Sequence, residues 1–239
     1  MKAFHLLIFF IFSFSLSAQN QLGSDIDGEY PGDESGWAVS SSSDGNIVAI
    51  GARKNFGNGS EAGSVRVYQY SNGMWIQLGS DIDGEASGDQ SGWAVSLSSN
   101  GTILAIGAIK NDGNGNNAGH VRVYEFVNGN WIQLGGDING AVSGDWFGFS
   151  LSLSDNGTIL AIGAYLSDVN GNKSGQVKVY EYSNNTWAQL GSNINGEAAD
   201  HYSGSSVSLS DDGSILAIGA RGVNNGGGRV KVYEYFNVI

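Results

Sequence analysis

Two stretches of this 239-residue chain place carboxylates where they could hold a hard cation. "DIDGEYPGD" offers Asp25, Asp27, Glu29 and Asp33, and "DIDGEASGD" offers Asp81, Asp83, Glu85 and Asp89. Oxygens at alternate positions, closed by one more carboxylate, suit Ca²⁺, which takes about six to eight oxygen ligands. Later copies thin out to Asp137, Asn139 and Asp145, and then to Asn193, Asn195, Glu197 and Asp200. A second candidate is the amide-rich loop from Asn111 to Gly119, with Asp112 as its carboxylate. Asn, Asp and Gly are also what tight turns with positive φ require, so solvated turns explain both sets without an ion. Ca²⁺ is the one cofactor the sequence raises.

Catalytic chemistry has less to work with. There is no cysteine, and His120 stands where the other repeats carry Ser64 and Gln176. Asp200 and His201 are adjacent, an arrangement that turns side chains apart and makes a poor dyad. The carboxylates recur from repeat to repeat, whereas a single acid–base site should break the repetition. One loop does break it: Arg221 to Gly228 is three residues shorter than its counterparts.

The elements that must carry these residues follow from internal repetition. Gln21, Gln77, Gln133 and Gln189 are 56 residues apart, as are Ala52, Ala108, Ala164 and Ala220. Each period holds short apolar runs of β-branched and aromatic residues, and none shows a useful helical spacing. In the second repeat these runs are "GWAVSLS", "ILAIGA", "HVRVYEF" and "WIQLGGDI", the first two joined through Asn100-Gly101. Four antiparallel strands per repeat make one propeller blade, and the expectation is an all-β propeller with units near 21–76, 77–132, 133–188 and 189–239. "QLGSDI" at the N-terminus reads as a fourth strand without a blade, and the last blade lacks its fourth strand. Pairing the two would close a four-bladed ring and cover an open edge. A larger ring shared by two chains is the rival, and an open part of a longer propeller the third reading, so monomer and dimer both stay open.

Ahead of the repeats, Lys2 precedes an apolar run from Leu6 to Leu16 that ends in small residues. A bilayer span needs about 20 apolar residues, so this has the form of a secretory signal peptide over 1–18, leaving one domain over 19–239 with no further membrane span. His5 would leave with it. The net charge of -12 and pI near 4.4 argue against nucleic acid or anionic membrane as partner. Export without cysteine means stability from packing and hydrogen bonds alone. The expected destination is extracellular, with the periplasm and cell surface as alternatives.

The aromatic residues mostly repeat. Trp75, Trp131 and Trp187 share one position, Tyr68, Tyr124, Tyr180 and Tyr233 another, and Trp37, Trp93 and Phe149 a third that Ser205 takes in the last repeat. Repetition reads as packing between blades. Trp146 and Tyr202 fall outside that scheme and, with His201, precede the first strand of their units, where a carbohydrate or peptide could stack.

"FGFSLSLSDNGTILAIGA", Phe147 to Ala164, resembles the FG-GAP repeat of integrin-alpha-type β-propellers. Phe147-Gly148 stands as the FG and Gly163-Ala164 as the start of GAP. The other repeats carry "SGWAVS" or "SGSSVS", with Gly51-Ala52, Gly107-Ala108 and Gly219-Ala220. Essentially all of the chain after the leader shares the pattern, most like that of secreted bacterial repeat proteins. The proline of GAP is replaced by Arg53, Ile109, Tyr165 and Arg221, the family's calcium loop between the first two strands is missing, and family propellers usually have about seven blades. The resemblance implies an exported, non-catalytic binding or adhesion module that presents loops on a rigid ring to an extracellular protein or carbohydrate. The alternative is a propeller enzyme acting on extracellular polysaccharide or glycan.

Overall fold

The computed structural model describes residues 20–235, so the leader expected over 1–18 lies outside the described residues. The first repeat forms β1 (Ser35–Ser41), β2 (Ile47–Ala52), β3 (Ser64–Ser71), β4 (Met74–Gln77) and a two-residue β5 (Ile82–Asp83). The second forms β6 (Ser91–Leu97), β7 (Ile103–Ala108), β8 (His120–Val127), β9 (Asn130–Gln133) and β10 (Ile138–Asn139). The third forms β11 (Phe147–Leu153), β12 (Ile159–Ala164), β13 (Gln176–Ser183), β14 (Thr186–Gln189) and β15 (Ile194–Asn195). The last repeat stops at β16 (Ser203–Leu209), β17 (Ile215–Ala220) and β18 (Arg229–Glu234).

All pairings between these strands are antiparallel, giving three five-stranded sheets and a three-stranded one. The first connection of each sheet is a Ser-x-Asx-Gly turn. Asp44, Asn100, Asn156 and Asp212 accept the amide two residues on, and the following glycine takes positive φ. Between β1 and β2 it runs over 42–46, longer than the expected two-residue hairpin. The fourth strand also differs from expectation. It ends at Gln77, Gln133 and Gln189, because the glycine two residues on, Gly79, Gly135 or Gly191, is left-handed and turns the chain before it rejoins the sheet.

That break corrects the expectation for "QLGSDI". Residues 20–28 form no strand, and the last sheet has three strands among the described residues. The segment lies on the first sheet instead. Leu22 O accepts the Trp75 indole N–H at 2.8 Å, and Asp27 O accepts Arg66 at 2.8 Å. Leu78 with Trp131, and Asp83 with Arg122, make the same contacts one repeat later. The strand proper is the "MWIQ" part of the motif. Among the described residues the N-terminal copy carries only the linker that leads into the next sheet.

Successive sheets face each other along their innermost strands: β1 meets β6, β6 meets β11 and β11 meets β16. The contact is backbone to backbone. A Cβ on Gly51 would lie 2.2 Å from Gly92 O, one on Gly107 2.3 Å from Gly148 O, and one on Gly163 2.2 Å from Gly204 O. Around this approach the apolar faces close into a core, with Val65, Val67, Val121, Val123, Val177 and Val179 fully buried. Burying such a side chain is worth about 1.5–3 kcal/mol.

The first sheet supplies its own control. Gly92 has φ +83° with Ser64 O 2.7 Å from a would-be Cβ, whereas Gly36, its equivalent, has φ +87° with nothing within 4 Å. Both alanine variants carry the backbone strain, but only Gly92→Ala must push two sheets apart. We expect Gly92→Ala to cost about 2–3 kcal/mol more than Gly36→Ala. In a domain of this size that separates the unfolding midpoints by about 4–12 °C. Equal midpoints would refute the close approach as a stabilising contact.

Candidate functional site

The innermost strands begin with a β-bulge. Register shifts between Ser35 and Ala38, and likewise in the other three repeats, while the residue before each strand is left-handed: Glu34, Gln90, Trp146 and Tyr202. Bulges bend a strand and re-aim its side chains. Tryptophan and tyrosine are poorly suited to that backbone, which fits a functional rather than a structural reason for placing them there.

Three positions per repeat converge at this inner edge. The pre-strand residue is one, the third strand residue (Trp37, Trp93, Phe149, Ser205) the second, and the residue after Gly-Ala (Arg53, Ile109, Tyr165, Arg221) the third. Together they form a continuous aromatic strip. Trp37 lies 5.0 Å from Trp93 and Trp93 5.6 Å from Phe149, between ring centroids. Phe149 lies 3.9 Å from Tyr165, and Tyr165 5.9 Å from Tyr202. Trp146 touches both Trp93 and Tyr165 at 6.0 Å. A guanidinium caps each end: Arg53 sits 3.6 Å over Trp37, and Arg221 5.2 Å from both Tyr165 and Tyr202.

Electrostatics distinguishes the two ends. Arg53 and Lys54 both pair with Glu34, and these contacts, the Lys54 hydrogen bond foremost, hold its carboxyl below the usual range. Arg221 has no carboxylate partner among the described residues and is exposed. Burial raises the Tyr165 hydroxyl above its ordinary value, so it is a neutral hydrogen-bonding group beside that arginine.

Of the residues singled out for ligand contact, Trp146 and Tyr202 come together on this strip, while His201 lines a separate hollow with Glu197, Arg229 and Lys231. Trp37, Trp93 and Phe149 do touch across sheets, as expected of packing, yet they stay partly open, Trp37 at 47% exposure. The sequence signal was the varied set Arg53, Ile109, Tyr165 and Arg221 in place of the family's proline.

Among the described residues neither acidic run brings three of its own carboxylates to one point. Asp25 and Asp81 accept from the glutamine four residues earlier, Gln21 and Gln77. Asp33 and Asp89 are buried and accept Asn55 and Asn111 amides at 2.9 Å, together with a loop N–H. Asp27 and Asp83 lend their backbone carbonyls to arginine, and Glu29 accepts from Asn55. One set of three donors does converge among the described residues: Glu85, His120 and Asp137, all within 4.8 Å of one another. Its imidazole makes it a set for a transition metal such as Zn²⁺ rather than Ca²⁺, with Arg122 against Glu85 as opposing charge. The same position in the last repeat is an ion cluster of Glu197 with Arg229 and Lys231.

The FG-GAP repeat model matches residues 82–124 and 139–180. These two segments of the chain are FG-GAP repeats. In the matched repeats the FG position falls at the bulge and the GA of GAP at the sheet-to-sheet glycine contact, so both motif ends flank the aromatic strip. No match is found among curated proteins. Solved structures agree on the fold. Hydrazine synthase of Kuenenia stuttgartiensis is 15% identical with a TM-score of 0.55, over 90% of this chain and 49% of that one. The β-propeller domain of Cps50 (Swd1) from Myceliophteria thermophila is 13% identical with a TM-score of 0.50, over 83% of this chain and 53% of that one. The chain thus spans about half the length of these two solved structures.

Two measurements probe the polar positions. Burial, and secondarily Arg122, lowers His120 to about 4, while Asp137 opposes the shift. Below pH 6.5 the unfolded imidazole binds a proton that the folded one takes up only near 4, so stability falls through that window, by up to about 3 kcal/mol. Buried Asp89 and Asp145, both raised, protonate more readily folded and offset part of the loss at the acid end. His120→Gln, the residue of the third repeat, should flatten the unfolding midpoint between pH 6.5 and 4.5; an unchanged slope would refute the assignment. For the acidic runs, millimolar Ca²⁺ should leave the midpoint of the His120→Gln variant within about a degree, and a rise of several degrees would mark them as ion sites.

Proposed function

We propose that this protein is an exported, non-catalytic binding propeller whose aromatic strip holds an extracellular glycan. The observation that carries this reading is the run of rings from Trp37 to Tyr202, flanked by Arg53 and Arg221. Flat apolar rings at spacings of 3.9–6.0 Å offer a surface for the apolar faces of sugar rings, and arginine supplies donors for their hydroxyl or carboxylate oxygens. Export rests on the leader-like residues 1–18, and adhesion follows if the glycan belongs to a surface.

The enzyme alternative has less behind it. Glycoside hydrolysis uses two carboxyl groups about 5–10 Å apart across the scissile bond. Among the residues of the strip the one carboxylate is Glu34, held by Arg53 and Lys54.

The test is affinity electrophoresis of the chain from Gln19 through gels containing cellulose-type, xylan or alginate polysaccharide. Retardation by at least one, weakened about tenfold (about 1.4 kcal/mol) by Trp93→Ala and by Arg221→Ala but not by Met74→Ala on the outer rim, is the expected result. Equal retardation of all variants would remove the strip from the reading. Shortened polysaccharide after incubation would move it to the enzyme.

A further inference from the structure

Among the described residues the last sheet lacks the following sheet that every other sheet has. Val65, Val67, Val121, Val123, Val177 and Val179 are at most 1% exposed because a following sheet covers them. Their equivalents on β18, Val230 and Val232, are 67% and 66% exposed. At the other end Trp37 and Val39 of β1 stand open, although residues 20–28 cover part of that sheet.

The two ends also complement each other in hydrogen bonding. One ladder of backbone contacts between sheets runs forward along the chain. Ser43 N–H donates to Ser99 O, Ser99 N–H to Asp155 O and Asp155 N–H to Asp211 O, at 2.8–2.9 Å. Among the described residues Asp211 N–H finds no acceptor and Ser43 O no donor. A second ladder places the amides of Leu97, Leu153 and Leu209 on the hydroxyls of Ser40, Ser96 and Ser152. Ser208 is the next hydroxyl of that series and is exposed. Gly219, the next glycine, meets no carbonyl of a following sheet, while Gly36 is the open partner at the front.

We propose that the last sheet of one chain packs against the first sheet of a second copy, and the reverse, so that two chains close one ring. The occupant is argued from fit: the front of this chain presents the same serine, glycine and aromatic positions that already seat each sheet on its predecessor. The size agrees, since one chain covers 53% of the length of a β-propeller domain. A head-to-tail contact of this kind is heterologous, and it ends in a closed ring when the rotation allows.

Cysteine cross-linking tests the geometry, because the chain has no cysteine of its own. The Ser43 and Ser99 hydroxyls are 2.9 Å apart inside the chain, so a Ser43/Asp211 pair should come equally near between copies. The Ser43→Cys/Asp211→Cys variant should oxidise to a covalent dimer on a non-reducing gel. Asp211→Cys alone should remain uncross-linked. Light scattering should give the unmodified chain twice the mass of one copy, and Val232→Glu, read alongside its thermal unfolding curve, should return a folded species of single mass. A monomer at micromolar concentration overturns the proposal, as does a dimer cross-linked by Asp211→Cys alone, which would place tail on tail, or an open series of higher oligomers.

Discussion

The distance between neighbouring backbones governs this molecule. Where one sheet's Gly-Ala strand meets the next sheet's bulge, two glycines pass with no room for a methyl group, 2.2–2.3 Å from a would-be Cβ to the facing carbonyl oxygen. A contact made by main chain alone cannot be retuned by side-chain choice. It sets the same spacing and register at each of the three junctions, which is why the serine ladders, the buried valines and the indole-to-carbonyl bonds of Trp75, Trp131 and Trp187 recur with the same period. Interiors packed at crystal-like density tolerate little variation in such a seam.

The same seam makes a site. Because register is fixed, residues 56 positions apart line up side by side, and any chemistry placed at the bulge or after Gly-Ala becomes a row. Core rows are nearly uniform between repeats, since each faces the same neighbour. The rows at the inner edge run Glu, Gln, Trp, Tyr and Arg, Ile, Tyr, Arg, because the seam places no demand on what projects beyond it. Variation on a uniform scaffold is where function is sought in a repeat fold, more than in the scaffold itself.

Much of the architecture was legible locally. The period, three of the four strand types, the Asx-Gly turns and the FG-GAP pattern depend on alternation and turn chemistry within a few residues. The fourth strand is shorter than its sequence suggests, because "WIQLGSDI" is β-prone throughout and only the left-handed Gly79, Gly135 and Gly191 divide it. The same β-prone pattern makes the N-terminal copy look like a strand able to complete the last sheet. Its lack of a preceding tryptophan was visible, but the binding of Leu22 and Asp27 to the first sheet was not. Asp33 and Asp89, read as cation ligands beside exposed neighbours, are buried acceptors for asparagine amides.

An all-β repeat array with Gly-defined seams is written into the chain, since glycine spacing and strand alternation are properties of a chain read one residue at a time. Tertiary structure decided what those repeats do to one another. It brought Arg53, Trp93, Tyr165 and Arg221 into one strip, turned His201 away from it, and left β1 and β18 as unmatched ends. The physical reason is that these relations are set by packing of sheets a full repeat apart, and no local propensity records which face a neighbouring sheet will cover.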